Sequence, residues 1–135
     1  MSVSIVKQYS VFLANEPGSL RAFASLFAKE KVTLLAVSSD VRFDAAVVRV
    51  AINHQEEIGH TLTKHGLTNV KVDAICIETT DRIGIVEDVG RIMEEKNLNI
   101  TSIYGGSAQP GQVRFIIVVN DLAQAVNALE ASGLF

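Results

Sequence analysis

The sequence has no tryptophan, two prolines and a single cysteine among its 135 residues. One cysteine excludes an intrachain disulfide framework, so an apolar core must hold the chain together. That cysteine, Cys76, lies in the alternating run Ala74-Ile75-Cys76-Ile77, which predicts a buried strand. We therefore interpret Cys76 as a small core residue and not as a reactive thiol.

The sequence also lacks a large excess of either positive or negative charge. The 12 lysines and arginines face 15 aspartates and glutamates, which gives a formal net charge of −3. They form no basic stripe, so nucleic acid is not an expected partner. No apolar run reaches membrane-spanning length, and the start from Met1 to Lys7 lacks the basic and apolar regions of a secretory signal. We expect a cytoplasmic globular protein with no membrane partner.

An internal repeat organises the chain. Sliding the sequence against itself by about 66 positions superposes two segments without a gap. The turn sequence Asn15-Glu16-Pro17-Gly18-Ser19-Leu20 then falls on Asp81-Arg82-Ile83-Gly84-Ile85-Val86. His65-Gly66-Leu67 falls near Ser132-Gly133-Leu134. The chain is therefore predicted to contain two copies of one structural unit.

Each half has the same order of elements: an apolar strand, a turn, an amphipathic helix, two strands and a second helix. In each half, apolar residues recur at helical spacing in the helix that follows the turn. We interpret both of these apolar stripes as facing the core. The stripes are Leu20, Phe23, Ala24 and Phe27 in the first half and Val86, Val89, Gly90 and Met93 in the second.

The remaining elements follow from apolar runs and turn residues. In the first half we predict strands at 33–39 and 45–52 joined by the loop 40–44, then a helix from about Gln55 to His65 that Gly66 ends. In the second half we predict strands at 99–104 and 113–120 and a helix from Asp121 to about Ser132. Gly105-Gly106 and Pro110-Gly111 are predicted to form a longer turn between those strands.

The two predicted domains span residues 1–72 and 73–135. The first continues through 69–73, a fourth strand that runs almost directly into the first strand of the second half. The second half stops at Phe135 and lacks such a strand. Either the N-terminal stretch 3–6 or another subunit could supply it.

Two βαββαβ units with an Asn or Asp three residues before a Gly at the strand-to-helix turn resemble ACT domains. These are α+β regulatory units of ferredoxin-like fold, with antiparallel sheets and helices on one face. Asn15-Glu16-Pro17-Gly18-Ser19-Leu20 is similar to the Asn-Glu-Pro-Gly-Ala-Leu turn of the small regulatory subunit of acetolactate synthase. Asp81-Arg82-Ile83-Gly84-Ile85-Val86 is similar to the Asp-Arg-Pro-Gly-Leu-Leu form of other ACT proteins, with Ile83 replacing Pro.

The resemblance implies a non-catalytic module that binds an amino-acid effector between paired ACT units, acts allosterically and assembles as a homo-oligomer, such as a dimer. It places the ligand at the turn before the first helix and along the second strand. The residues implied are Asn15, Glu16, Pro17, Gly18, Ser19, Leu20, Asp81, Arg82, Ile83, Gly84, Ile85 and Val86, with Val37, Ser38, Ile103 and Tyr104 as weaker candidates.

Other interpretations of these residues stay open. Asn and Asp are preferred N-caps, so Asn15 and Asp81 could simply cap helices. The regulated partner could be an amino-acid biosynthetic enzyme such as acetolactate synthase, with this chain as its regulatory subunit, or the chain could be an assembly adaptor with empty sites. The repeated ACT motif in the second half weakens the acetolactate synthase interpretation.

No residue set predicts an enzyme, a cofactor or a metal site. The histidines His54, His60 and His65 are predicted to be spread around the second helix, whereas metal ligation on one helical face prefers a spacing of three or four. A group of acidic residues predicts a solvated helix face: Glu87, Asp88, Glu94 and Glu95. The glycine-rich segment 105–111 lies between strands and lacks the Lys-Ser or Lys-Thr of a phosphate loop.

Overall fold

A computed structural model describes residues 2–42 and 44–135, so Phe43 of the predicted loop lies outside the described residues. The described chain forms six strands and four helices. In chain order they are β1 (Ser2–Ala14), α1 (Ser19–Lys29), β2 (Leu34–Arg42), β3 (Ala45–Asn53), α2 (Gly59–Lys64), β4 (Asn69–Thr80), α3 (Ile85–Glu95), β5 (Ile100–Gln109), β6 (Gln112–Val119) and α4 (Leu122–Ser132).

The elements group into two compact units, as tandem ferredoxin-like folding predicts. The first unit comprises residues 6–72, and the second comprises 73–135 together with 2–5. Strand order is β2-β3-β1-β4 in the first unit and β5-β6-β4-β1 in the second. The pairings of β3 with β1 and β2, and of β6 with β4 and β5, are antiparallel. The beginning of β1 therefore stands beside β4 in the second unit.

The core of the first unit lies between one sheet face and its two helices. Alternate residues of β1, namely Tyr9, Val11 and Leu13, are buried because successive side chains of a strand point to opposite faces. Phe23 and Phe27 of α1 pack onto them, with their ring centroids 5.1 Å apart in an edge-to-face arrangement. The short helix α2 contributes Leu62, and the preceding residue Ile58 is buried in the same cluster.

The second unit repeats this packing with aliphatic residues. Ile75 and Ile77 of β4 and Ile117 of β6 form the sheet side of the cluster. Helices α3 and α4 cover them with Val89, Ile92, Met93, Ala125 and Leu129. Leu20 and Val86, the first residue of each predicted stripe, are instead about half exposed.

Helix α2 is shorter than predicted. Residues 54 and 55 form a turn, and 56–58 lie before α2 without regular structure. The side chain of Asn53, the last residue of β3, accepts a hydrogen bond from the Gln55 amide at 3.0 Å. Such a local bond competes with helix formation. Only His60 lies within α2, because His54 precedes the helix and His65 is its C-cap residue, so the prediction that all three are spread around one helix is wrong.

A buried lysine of β1 links the residues just before α2 to the sheet. The Lys7 side chain, 8% exposed, donates to the Glu56 carbonyl at 2.9 Å and forms an ion pair with Glu57. The Tyr9 hydroxyl also donates a hydrogen bond to the Glu57 carboxylate, at 3.2 Å. The hydrogen bond from Lys7 is the main reason that the pKa of Glu57 is below its usual value. Burial of the Lys7 charge is thus compensated by hydrogen-bonded partners.

The predicted turn at Gly105-Gly106 is wrong. Both glycines lie within β5, paired with Phe115 and Arg114, and the reversal occurs at Pro110-Gly111. Gly105 has φ of 155°, and a Cβ there would clash with the Arg114 carbonyl and stand 2.8 Å from the Phe115 Cα. The glycine therefore permits a close approach of backbones within a hairpin rather than a loop.

Replacing Gly105 with alanine should lower the free energy of unfolding by more than about 2 kcal/mol, because the clash involves backbone that cannot rotate away. Gly106→Ala is the matched control, since a Cβ at that position meets nothing within 4 Å. Equilibrium denaturation with urea measures both. Equal stability of the two variants would contradict the close approach.

Cys76 is free and buried, in agreement with its interpretation as a core residue. Its burial, and next the nearby Glu78 carboxylate, raise the pKa of the thiol to about 11. At pH 8 the thiolate fraction is then about one in a thousand, and the thiolate is the reactive form.

A thiol-specific disulfide reagent should therefore label the folded protein at pH 8 far more slowly than the urea-unfolded chain. The variant Cys76→Ala/Thr80→Cys moves the thiol to an exposed position on the same strand and should react at once. Rapid labelling of the folded parent protein would show that Cys76 is accessible.

Candidate functional site

Each unit has a short turn between its first strand and its first helix. The turn 15–18 joins β1 to α1, and the turn 81–84 joins β4 to α3. The Asn15 amide donates to the Asp44 carbonyl at 2.8 Å, and the Asp81 amide donates to the Gly111 carbonyl at 2.9 Å. Each turn is thus fixed to the hairpin loop of its own unit in the same way, so the sequence repeat extends to hydrogen bonding.

Glycine is the N-cap residue of both helices. Gly18 has φ of 90° and Gly84 has φ of 93°, which is the left-handed region that side-chain-bearing residues avoid. Neither helix start has a side-chain capping hydrogen bond. The alternative in which Asn15 and Asp81 act as N-caps is therefore wrong, because the chain reverses at the glycine and the helix begins beyond it. The first-turn amides of both helices are left without a side-chain cap.

The side chains of the turns point largely to solvent. Asn15, Glu16 and Pro17 are exposed, and Ile83 is fully exposed. Ile85 is the exception, since it is buried in the second unit. The candidate turn residues other than Ile85 are therefore open to a ligand or a partner.

The candidate ligand-binding residues on β2 and β5 lie away from the turn of their own unit. Val37 of β2 pairs with Val50 of β3, which pairs with Tyr9 of β1, far from the end of that strand. Ser38, the next residue, points to the opposite face of the sheet. Ile103 and Tyr104 occupy the equivalent places on β5 through Ile117 and Ile116 of β6. Neither unit brings its strand candidates into contact with its turn.

The two helix starts differ in charge. At α3 the Asp88 carboxylate pairs with Arg82 at 2.7 Å and with Arg91 at 2.6 Å. The hydrogen bonds from Arg82 and then Arg91 hold the pKa of Asp88 below its usual value. Asp88 is thus fixed between two guanidinium groups, which the prediction of a solvated acidic face did not include. The equivalent position on α1 is Ala22.

A cleft beside α1 was not predicted. It has a volume of about 470 Å³ and lies between α1, the end of β1 and the segment that follows α2. The repeat pointed to one of its walls, His65-Gly66-Leu67, but not to the cleft itself. Its lining comprises Phe12, Leu13, Ala14, Ser19, Ala22, Phe23, Leu26, His65, Gly66 and Leu67.

Residues 2–42 and 44–135 contain no group of three or more His, Cys, Asp or Glu side chains arranged to hold a metal ion. Across the same residues, no helix has the length and apolar character that crossing a membrane requires.

Comparison with known structures identifies the same fold elsewhere. Protein BT0572 from Bacteroides thetaiotaomicron is similar over 97% of this chain and 90% of its own, with a TM-score of 0.85 and 19% identity. The ligand-free regulatory subunit of aspartate kinase from Thermus thermophilus is similar over 97% of this chain and 96% of its own, with a TM-score of 0.67 and 10% identity. In aspartate kinase from Clostridium acetobutylicum, the similar part covers 34% of that enzyme, with a TM-score of 0.62 and 16% identity.

At such low identities, these TM-scores show a shared fold and nothing more. Comparison with curated proteins finds no match. The family described as the ACT domain pair matches residues 4–129, nearly the whole chain and both turns. Repeated glycine-capped turns, repeated cores and the family match agree, and the chain belongs to the ACT domain family as a tandem pair of ACT domains.

Proposed function

We propose that this chain is a non-catalytic regulatory module that binds an amino acid at a turn preceding α1 or α3. The observation that carries the proposal is the glycine N-cap, which leaves the helix start without a side-chain cap. Helix starts attract carboxylates because their amides lack intrahelical acceptors and the helix dipole is positive there. A ligand carboxylate could therefore take the place that a capping side chain occupies in other helices.

The ammonium group of the ligand requires acceptors. The side chains of Asn15 and Asp81 are exposed next to the turns and carry suitable oxygens. They differ in charge, so the two turns need not bind the same ligand. With Arg82 held by Asp88, the second turn also presents an ion pair that the first turn lacks.

The regulated partner is proposed to be a metabolic enzyme. The Thermus thermophilus chain that shares this fold over 96% of its length is a regulatory subunit of aspartate kinase. The second candidate function is therefore that of a separate regulatory subunit for an enzyme of amino-acid metabolism. An adaptor with empty sites is the third, and it predicts no response to any amino acid.

The effector proposal predicts the following effect of substitutions at the N-caps. One of the twenty amino acids should raise the melting temperature of the parent protein as its concentration exceeds the dissociation constant. Gly18→Val or Gly84→Val should abolish that rise at the altered turn, because the side chain covers the helix start. Differential scanning fluorimetry with each amino acid measures it.

Backbone strain is controlled by Gly18→Asn and Gly84→Asn, since Asn tolerates positive φ but still adds a side chain. Both should keep most of the unliganded stability and lose the ligand response. If the double Gly→Val variant is stabilised by an amino acid as much as the parent, the effector does not bind at these turns.

A homo-oligomer is also expected. Strand β2 is the edge of the first unit and β5 is the edge of the second. They expose Val37, Val41 and Ile103 beside unpaired backbone groups. Edges of this kind are usually covered by pairing. Light scattering at high micromolar concentration should give the mass of a dimer or larger, and a monomer would contradict the expectation.

A further inference from the structure

The cleft beside α1 is a feature of the first unit that the turns alone do not explain. Its volume of about 470 Å³ lies within the range of small-molecule sites. Ser19, the first helical residue of α1, is on its rim. The cleft and the helix start to which we assign the ligand carboxylate therefore meet at one residue.

Backbone hydrogen bonds fix the walls of the cleft. The Phe12 amide donates to the Thr68 carbonyl at 3.1 Å and joins the end of β1 to the segment after α2. The Leu67 amide donates to the Leu62 carbonyl at 3.0 Å, which holds that segment against the end of α2. Because these hydrogen bonds hold the walls in place, ligand binding would cost little ordering of these backbones.

The lining is mainly apolar and carries no Lys, Arg, Asp or Glu. The large apolar residues among its lining are Phe12, Leu13, Phe23, Leu26 and Leu67. Its two polar side chains are those of Ser19 and His65. His65 Nδ1 lies 2.9 Å from the Thr61 carbonyl, so in the neutral ring Nδ1–H donates and Nε2 is the acceptor. A charged ligand side chain would lose its hydration here, and the lining offers it no Lys, Arg, Asp or Glu as an ion-pair partner.

At four positions of this apolar lining the second half has polar residues. Under the repeat, Phe12-Leu13-Ala14 corresponds to Glu78-Thr79-Thr80 and Ala22 corresponds to Asp88. Asp88 pairs with Arg82 and Arg91, and Arg114 pairs with Glu78 at 3.2 Å. The second unit therefore repeats the backbone arrangement of the first, but it has different side chains beside its helix start.

We infer that the effector is an amino acid with a neutral, apolar side chain, that this side chain occupies the cleft beside α1, and that the second unit does not bind it. This inference rests on the proposed function and adds the ligand class and the unit. The apolar walls select the side chain, and Ser19 marks the end at which the charged groups of the ligand lie.

Filling the cleft tests the assignment. Ala22 is exposed on α1 and lines the cleft, whereas Ala28 is exposed on the same helix and does not. We would titrate L-leucine, L-isoleucine, L-methionine and L-phenylalanine, with L-aspartate and L-lysine as charged probes, by isothermal calorimetry against the full chain. At least one apolar amino acid should bind with one site per chain. Ala22→Trp should weaken it at least tenfold, and Ala28→Trp should not.

Ala22→Asp is a second variant, since it introduces the residue that the second half carries at this position. It should also weaken binding at least tenfold, and circular dichroism verifies that each variant is folded. Binding of L-aspartate or L-lysine alone would overturn the ligand class and leave the proposed function intact. Unchanged affinity in a folded Ala22→Trp or Ala22→Asp variant, or two sites per chain, would overturn the cleft assignment. If no amino acid binds, the proposed function fails as well.

Discussion

The reversal of the chain at Gly18 and Gly84 is the constraint on which both units depend. Strands β1 and β4 must each be followed within a short turn by a helix whose apolar side covers the strand just completed. Positive φ at the glycine achieves this reversal. The same requirement leaves the helix without a side-chain cap, so the feature that allows the core to form also creates the exposed helix start.

Local signals predicted most of the fold. Phe23 and Phe27 stand one helical turn apart, which indicated the buried face of α1, and the apolar run from Ala74 to Ile77 indicated a strand that is buried on both faces. The ends of elements were less predictable. Gly105 suggested a turn because glycine usually relieves strain there, but here it permits contact with a neighbouring backbone. Asn53 shortened α2 through a side-chain bond that periodicity does not register.

The turns were found from sequence, but the surroundings of the turns were not. The cleft combines residues from the end of β1, from α1 and from the segment after α2, and their proximity arises only from tertiary packing. The pairing of Arg82 with Asp88 likewise depends on side-chain positions that charge patterning alone could not fix. The repeat could have pointed to both, since Ala22 and Asp88 are equivalent positions of opposite character. Duplicated backbones can therefore diverge in chemistry without any change in topology.

Strand β4 runs without interruption through the point where one unit ends and the next begins. No linker separates the two repeats, and their boundary falls inside a strand. Cleavage between Val72 and Asp73 would therefore interrupt a strand rather than release two intact halves. The second unit would also lose residues 2–5, which lie on the far side of the cut. A gene encoding residues 73–135 alone would therefore specify a unit that lacks one of its own segments, whereas residues 6–72 contain the whole of the first unit.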